Sequence, residues 1–253
     1  KFQGSGVSLD DFLGFSLPKD SIVIKDSDEG DPLDTSWLNE LDGQTRNVVN
    51  TRKISARNNG DGTFLPVAAT VCLPYDFNID EYYEPGIAKL YQMVYVDTVY
   101  NQFIFKEMPD NLMEAGTPYM IMVNRGEIQF NTIDSKLTSK VADGIPVYDF
   151  TEWYWYDRNS EVGTWNGTLE AVWSGNNDYF LRDVGIWELL GFRSQSIHPF
   201  RAFLRASESV TEYWYRQNPD TSTAEVAEVP GAGSFATRFY EPGDNGRGDV
   251  EEK

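Results

Sequence analysis

The chain of 253 residues has one cysteine, one histidine, and 21 Lys and Arg against 40 Asp and Glu. Each shortage excludes something. With Cys72 alone, no intramolecular disulfide can form. Such sparse cysteine suits cytosolic proteins and many secreted bacterial proteins equally. Cys72 and His198 are too few ligands for a structural zinc site. A Cys–His or Ser–His dyad would have to use His198, which stands before a Pro at a strand entrance. Cys72 lies inside an apolar strand, the usual place for an inert buried thiol. A Gly-x-Ser-x-Gly elbow, a Gly-x-Gly-x-x-Gly turn and a P-loop are all missing, so no cofactor is expected. The net charge of −19 leaves no basic groove for nucleic acid and disfavours an anionic membrane surface. No apolar run approaches the roughly 20 residues that span a bilayer, so direct membrane insertion of the mature chain is not expected. No signal peptide is visible at Lys1, and the missing Met suggests a processed chain.

What is abundant is aromatic and β-forming. Aromatics make up 14% of the residues, typical of sheets that pack large side chains face to face. Short extended segments recur at 8–12-residue spacing between Gly, Asn, Asp and Pro turns. Among them are Val48 to Ile54, Phe64 to Tyr75, Ala88 to Asp97, Gln102 to Glu107, Pro118 to Asn124 and His198 to Ala206. Asn124-Arg125-Gly126 reads as a tight hairpin. The rhythm predicts an all-β protein, a β-sandwich or jelly-roll-like fold, with a division into two packed β lobes left open near 135–150. The corresponding segments are an acidic 1–46 packed on the β domain, a first lobe at 47–140, a second at 141–217 and an extended or disordered acidic tail at 218–253. Within that tail, Phe235 to Tyr240 is able to dock as one more strand.

The best binding candidate is the run Trp153-Tyr154-Trp155-Tyr156. Alternation sends Trp153 and Trp155 to one face and Tyr154 and Tyr156 to the other, and an exposed aromatic face would stack on sugar rings. Core packing is the preferred alternative for these rings. Asp26-x-Asp28-x-Gly30-Asp31, with Asp34 following, has calcium-like oxygen spacing but lacks the full EF-hand pattern; a charged loop is preferred, and no metal is expected. Arg247-Gly248-Asp249 spells an integrin-binding tripeptide, of a kind that arises by chance in Gly/Asp-rich tails. Carboxylates are plentiful, yet nothing selects two of them as a glycosidase pair.

Four signatures occur in order: Arg52 leading to Leu73-Pro74-Tyr75-Asp76, then Phe103-Ile104-Phe105, then Ala115-Gly116-Thr117-Pro118-Tyr119, then Phe200-Arg201-Ala202-Phe203. Over residues 45–206 the set resembles a β-rich domain of secreted and surface proteins of the Bacteroidetes, often found beside BspA-like leucine-rich-repeat or bacterial Ig-like modules. It departs where Phe64-Leu65-Pro66 stands in place of a Trp-containing strand. The resemblance implies extracytoplasmic placement, on the cell surface or secreted, and no enzymatic activity; it supplies no catalytic residues. As physics, the signatures mark strand edges, a Gly turn at 116 and a two-faced strand at 199–204. Arg201 is expected to pair with an acidic side chain. The expectation is a non-enzymatic module for adhesion, ligand binding or assembly, whose partner is a glycan or a host or surface protein. The alternatives are a carbohydrate-binding module using the aromatics and a glycan-active hydrolase.

Overall fold

The computed structural model describes residues 20–25, 34–97, 102–150, 161–173, 175, 177–181, 186–189, 196–207 and 234–240. The aromatic run at 153–156, the acidic loop at 26–33 and the tripeptide at 247–249 lie outside the described residues.

In chain order the first elements are β1 (Ser21–Ile24), the short helix α1 (Trp37–Leu41), β2 (Thr45–Asn50), β3 (Lys53–Ser55), β4 (Arg57–Asn58), β5 (Phe64–Leu65) and β6 (Val67–Val71). Then come β7 (Phe77–Asn78), the single turn α2 (Ile79–Tyr82), β8 (Ala88–Asp97), β9 (Gln102–Glu107), β10 (Leu112–Met113), β11 (Tyr119–Val123), β12 (Glu127–Gln129) and β13 (Thr132–Lys136). The remainder are β14 (Ile145–Asp149), β15 (Glu161–Thr168), β16 (Val172–Trp173), β17 (Asp178–Leu181), β18 (Ile186–Leu189), β19 (Ser196–Ile197), β20 (Arg201–Ala206) and β21 (Ser234–Tyr240). The protein is all-β.

Ten strands join one sheet in the order β14-β15-β20-β17-β18-β21-β9-β8-β11-β6. The sheet curls until β14 meets β8 through two parallel residue pairs, Tyr148 with Tyr95 and Asp149 with Val96. Eight strands therefore form a nearly closed ring, and such closure removes sheet edges. The tail segment that was expected to dock does so as β21, wedged between β18 and β9 and parallel to β9. Small two- and three-stranded sheets, among them β1-β2-β13 and β3-β12, cover the outside of the β8-β11-β6 flank.

Two apolar clusters result. One fills the ring with Phe103, Phe105, Trp165, Tyr179, Trp187 and Phe235, and its rings interlock: Phe103 stacks on Phe235 at 4.5 Å and 9°. The other gathers Val71, Leu73, Tyr75, Phe77, Ile121 and Phe130 beneath the small sheets. Strand β11 serves both. Tyr119, Ile121 and Val123 enter the second cluster, while Met120 between them joins the ring interior. A strand buried on both faces needs an unbroken apolar run, which Tyr-Met-Ile-Met-Val supplies.

Two local expectations fail, and one strand was not expected. The chain bends at Gly126 but makes no hairpin, because β11 pairs with β6 and β8 while β12 pairs with β3. Val48 to Ile54 divides into β2 and β3, since Asn50 Oδ1 accepts from the Arg52 backbone N–H and draws the chain out of the ladder. Glu161–Thr168, not named among the extended segments, is an eight-residue strand.

Candidate functional site

The sequence signatures come together in space. Arg52 is buried, and its Nη1 donates to the carbonyls of Thr70 at 2.8 Å and Phe200 at 3.4 Å. Cys72 N donates to the same Phe200 carbonyl, and Phe200 N donates to Thr168 O at 2.7 Å. Gly116 N donates to Leu73 O at 2.7 Å, and Trp165 Nε1 donates to Pro118 O at 3.0 Å. The Tyr75 hydroxyl accepts from Asn50 Nδ2 and donates to Phe130 O at 2.7 Å. One interlock thus ties the ring to the second core through main-chain carbonyls.

Its reactive groups are held there. Burial pushes the Cys72 thiol up to about 12, so at neutral pH it carries no thiolate. Burial also raises the Tyr75 phenol. Phe200, expected to begin the alternation of the last signature, instead sits before β20 at φ 63°. That conformation turns its ring into the second cluster, whereas Ala202 and Leu204 enter the ring interior. Arg201 is half-buried at the start of β20, opposite Thr168.

On this strand Arg205 makes an acid–base pair. Its Nε and Nη2 donate to Asp178 Oδ1 at 2.9 Å and Oδ2 at 3.1 Å, and the carboxylate is fully buried. Gly175 N also donates to Oδ2. The fork geometry is the strong form of such pairs, and the bonds to Asp178 raise the guanidinium further.

Beside this pair lies an open cleft of about 310 Å³ on the outer face of β15 and β20. Asn166, Phe203 and Arg205 form its floor, Ser139 and Val141 one wall, and Leu169, Glu170 and Val172 the other. Register explains the floor: Asn166 lies opposite Phe203, and Thr164 opposite Arg205. Phe203 is fixed from beside by Phe180, 6.3 Å away, and from above by the Arg205 guanidinium, 5.3 Å from its ring centre. Thr164 holds the Asn166 amide nitrogen with its carbonyl at 2.7 Å and its hydroxyl at 2.9 Å, and the amide oxygen stands beside Gly144. The first wall is tethered by Ser139 N to Asp42 Oδ1, Thr138 N to Pro74 O and Ala142 N to Gly116 O. The second is closed by the Thr168 hydroxyl, which donates to Glu170 O.

Sequence reasoning missed this cleft because it missed β15. Gly163 and Gly167 interrupt its apolar pattern, and each permits close packing. A Cβ on Gly163 would stand 2.5 Å from Arg205 O, and one on Gly167 2.5 Å from Cys72 Sγ. The available signal was the outward set Arg201, Phe203 and Arg205 on β20. Trp173, 72% exposed, is an aromatic beside the cleft, although alternation along β16 turns it away from Val172 and the cleft wall. Trp153, Tyr154, Trp155 and Tyr156 lie outside the described residues. Among the described residues no group of three or more His, Cys, Asp or Glu is placed to hold a metal ion, and no helix is long and apolar enough to cross a membrane. Compared with protein-family models, with curated proteins and with solved structures, the chain matches none.

Proposed function

We propose that this chain is a non-enzymatic bacterial module of the cell surface or secreted space, serving adhesion, ligand binding or assembly. The observation that carries the reading is the interlock. Arg52, Cys72, Tyr75 and the Phe200 carbonyl, the most chemically distinctive groups of the ordered signatures, are spent on joining two cores. A rigid aromatic-filled ring with its reactive groups committed to structure suits a scaffold that presents surfaces and clefts. The extracytoplasmic part rests on the likeness of Leu73-Pro74-Tyr75, Ala115-Gly116-Thr117-Pro118-Tyr119 and Phe200-Arg201-Ala202-Phe203 to Bacteroidetes surface proteins. The acidic charge keeps such a module soluble and away from anionic surfaces.

The test pairs location with binding. Antibody against the chain is expected to label intact, unpermeabilised cells of the source organism or to recover the chain from their medium. The purified chain is expected to bind saturably to at least one surface among immobilised glycans, mucin, fibronectin and collagen, leaving the bound material chemically unchanged. Labelling only after permeabilisation overturns the surface placement. Release of cleaved or modified product overturns the non-enzymatic reading.

A further inference from the structure

We infer that the cleft over β15 and β20 is a binding site for a short neutral saccharide. This deepens the proposed ligand-binding module and rests on that reading. The volume of about 310 Å³ lies at the lower end of the roughly 300–1,000 Å³ of small-molecule sites.

The polar groups decide the ligand class. Arg205 spends Nε and Nη2 on the buried carboxylate of Asp178, so its charge is already balanced while its Nη1 hydrogens remain for a ligand. It therefore offers directed donors without a net positive field. Glu170 adds an exposed carboxylate at the rim, which disfavours an anionic occupant, as does the net charge of −19. The Asn166 amide nitrogen is anchored on Thr164, leaving its carbonyl oxygen as an acceptor. The Nη1 donor, amide oxygen and carboxylate together suit a molecule that both donates and accepts at neighbouring positions, which is what adjacent sugar hydroxyls do. Val141 and Val172, flanking the buried ring of Phe203, supply the apolar contact needed by the C–H face of a sugar ring. Asn166 and Arg205 are held in place before a ligand arrives, so little ordering cost falls on binding.

The experiment titrates the whole chain with maltotriose, cellotriose, xylotriose and chitotriose, followed by NMR shifts of the backbone amides and by product analysis. At least one trisaccharide is expected to bind and to shift amides of β15 and β20. Asn166→Ala is expected to weaken that binding about tenfold, the equivalent of one lost hydrogen bond. Glu170→Gln, at an exposed position that leaves folding intact, is expected to weaken it severalfold, with an unchanged thermal midpoint. Binding that shifts other amides and ignores both substitutions overturns the cleft as the site, while the module reading stands. Failure of all four sugars to bind also overturns the saccharide inference, and retained binding of the same preparation to mucin, fibronectin or collagen shows the module reading intact. Cleavage of a bound trisaccharide overturns the module reading itself.

Discussion

Single residues in this fold are set by what lies within a few ångströms of them. Gly116 has φ +74°, and a Cβ there would drive into the carbonyl of Lys140. Both the backbone conformation and the collision oppose a side chain, so Gly116→Ala is expected to cost roughly 3 kcal/mol, read as a lower urea midpoint at unchanged slope. Gly167 has an ordinary backbone but faces Cys72 Sγ at 2.5 Å from the missing Cβ. Gly167→Ala is expected to cost about 1–3 kcal/mol by overpacking. Part of that cost should return in the double variant with Cys72→Ala, which removes the opposing sulfur. A double-mutant cycle measures the coupling, and strictly additive effects would count against direct contact. The sequence hinted at Gly116, because Ala-Gly-Thr-Pro-Tyr reads as a turn. It offered no hint of Gly167, whose need arises from a cysteine 95 positions earlier in the chain.

Elements show the same division between local and distant causes. β8, β9 and β11 were legible because their apolar runs are bounded by turn residues, and an unbroken run or strict alternation is a local signal. β15 was not, since its two glycines answer to neighbouring strands rather than to the local chain. The break between β2 and β3 was hidden for a similar reason, being made by side-chain bonds of Asn50. The cleft inherited the first failure: β20 and its outward residues were read correctly, but its floor needs β15 beside it. The β3–β12 pair carries a testable charge. Lys53 lies 3.0 Å from Glu127 across the strands, and the Ser55 hydroxyl donates to the same carboxylate at 2.9 Å. Bonds from Lys53 and then Ser55 hold the Glu127 carboxyl below its ordinary value. A depressed folded value means the stabilisation is fully present above the unfolded value, about 4.3, and is lost as pH falls through the folded one. Glu127→Gln should therefore lower the urea midpoint at pH 7, and the gap to the parent should shrink below about pH 4. A gap independent of pH would mean the pair contributes nothing through charge.

At the scale of the whole molecule the decisive element is β21. It supplies the ladder partners of both β18 and β9, and Phe235 lies flat on Phe103 at the centre of the ring. A chain ending at residue 233 is expected to lose cooperative unfolding and near-ultraviolet aromatic dichroism together. Adding a synthetic peptide spanning 234–240 is expected to restore part of both, because the slot between β18 and β9 is defined from both sides. Retention of a sharp transition in the shortened chain would show that the ring closes without this strand. The docking of 235–240 was legible from its alternation, but its central position was not, since the local sequence does not name a partner 134 residues away.

That wiring bears on how the molecule is made. A ribosome delivers β9 long before β21, so Phe103 and its neighbours wait without their stacked partner while more than 130 further residues are polymerised. A nascent chain of this design exposes an aromatic surface and two unpaired strands until residue 240 has left the exit tunnel, the condition in which aggregation competes with folding. The ring is complete only once this last strand arrives, whereas the second cluster contains none of its residues and can gather earlier.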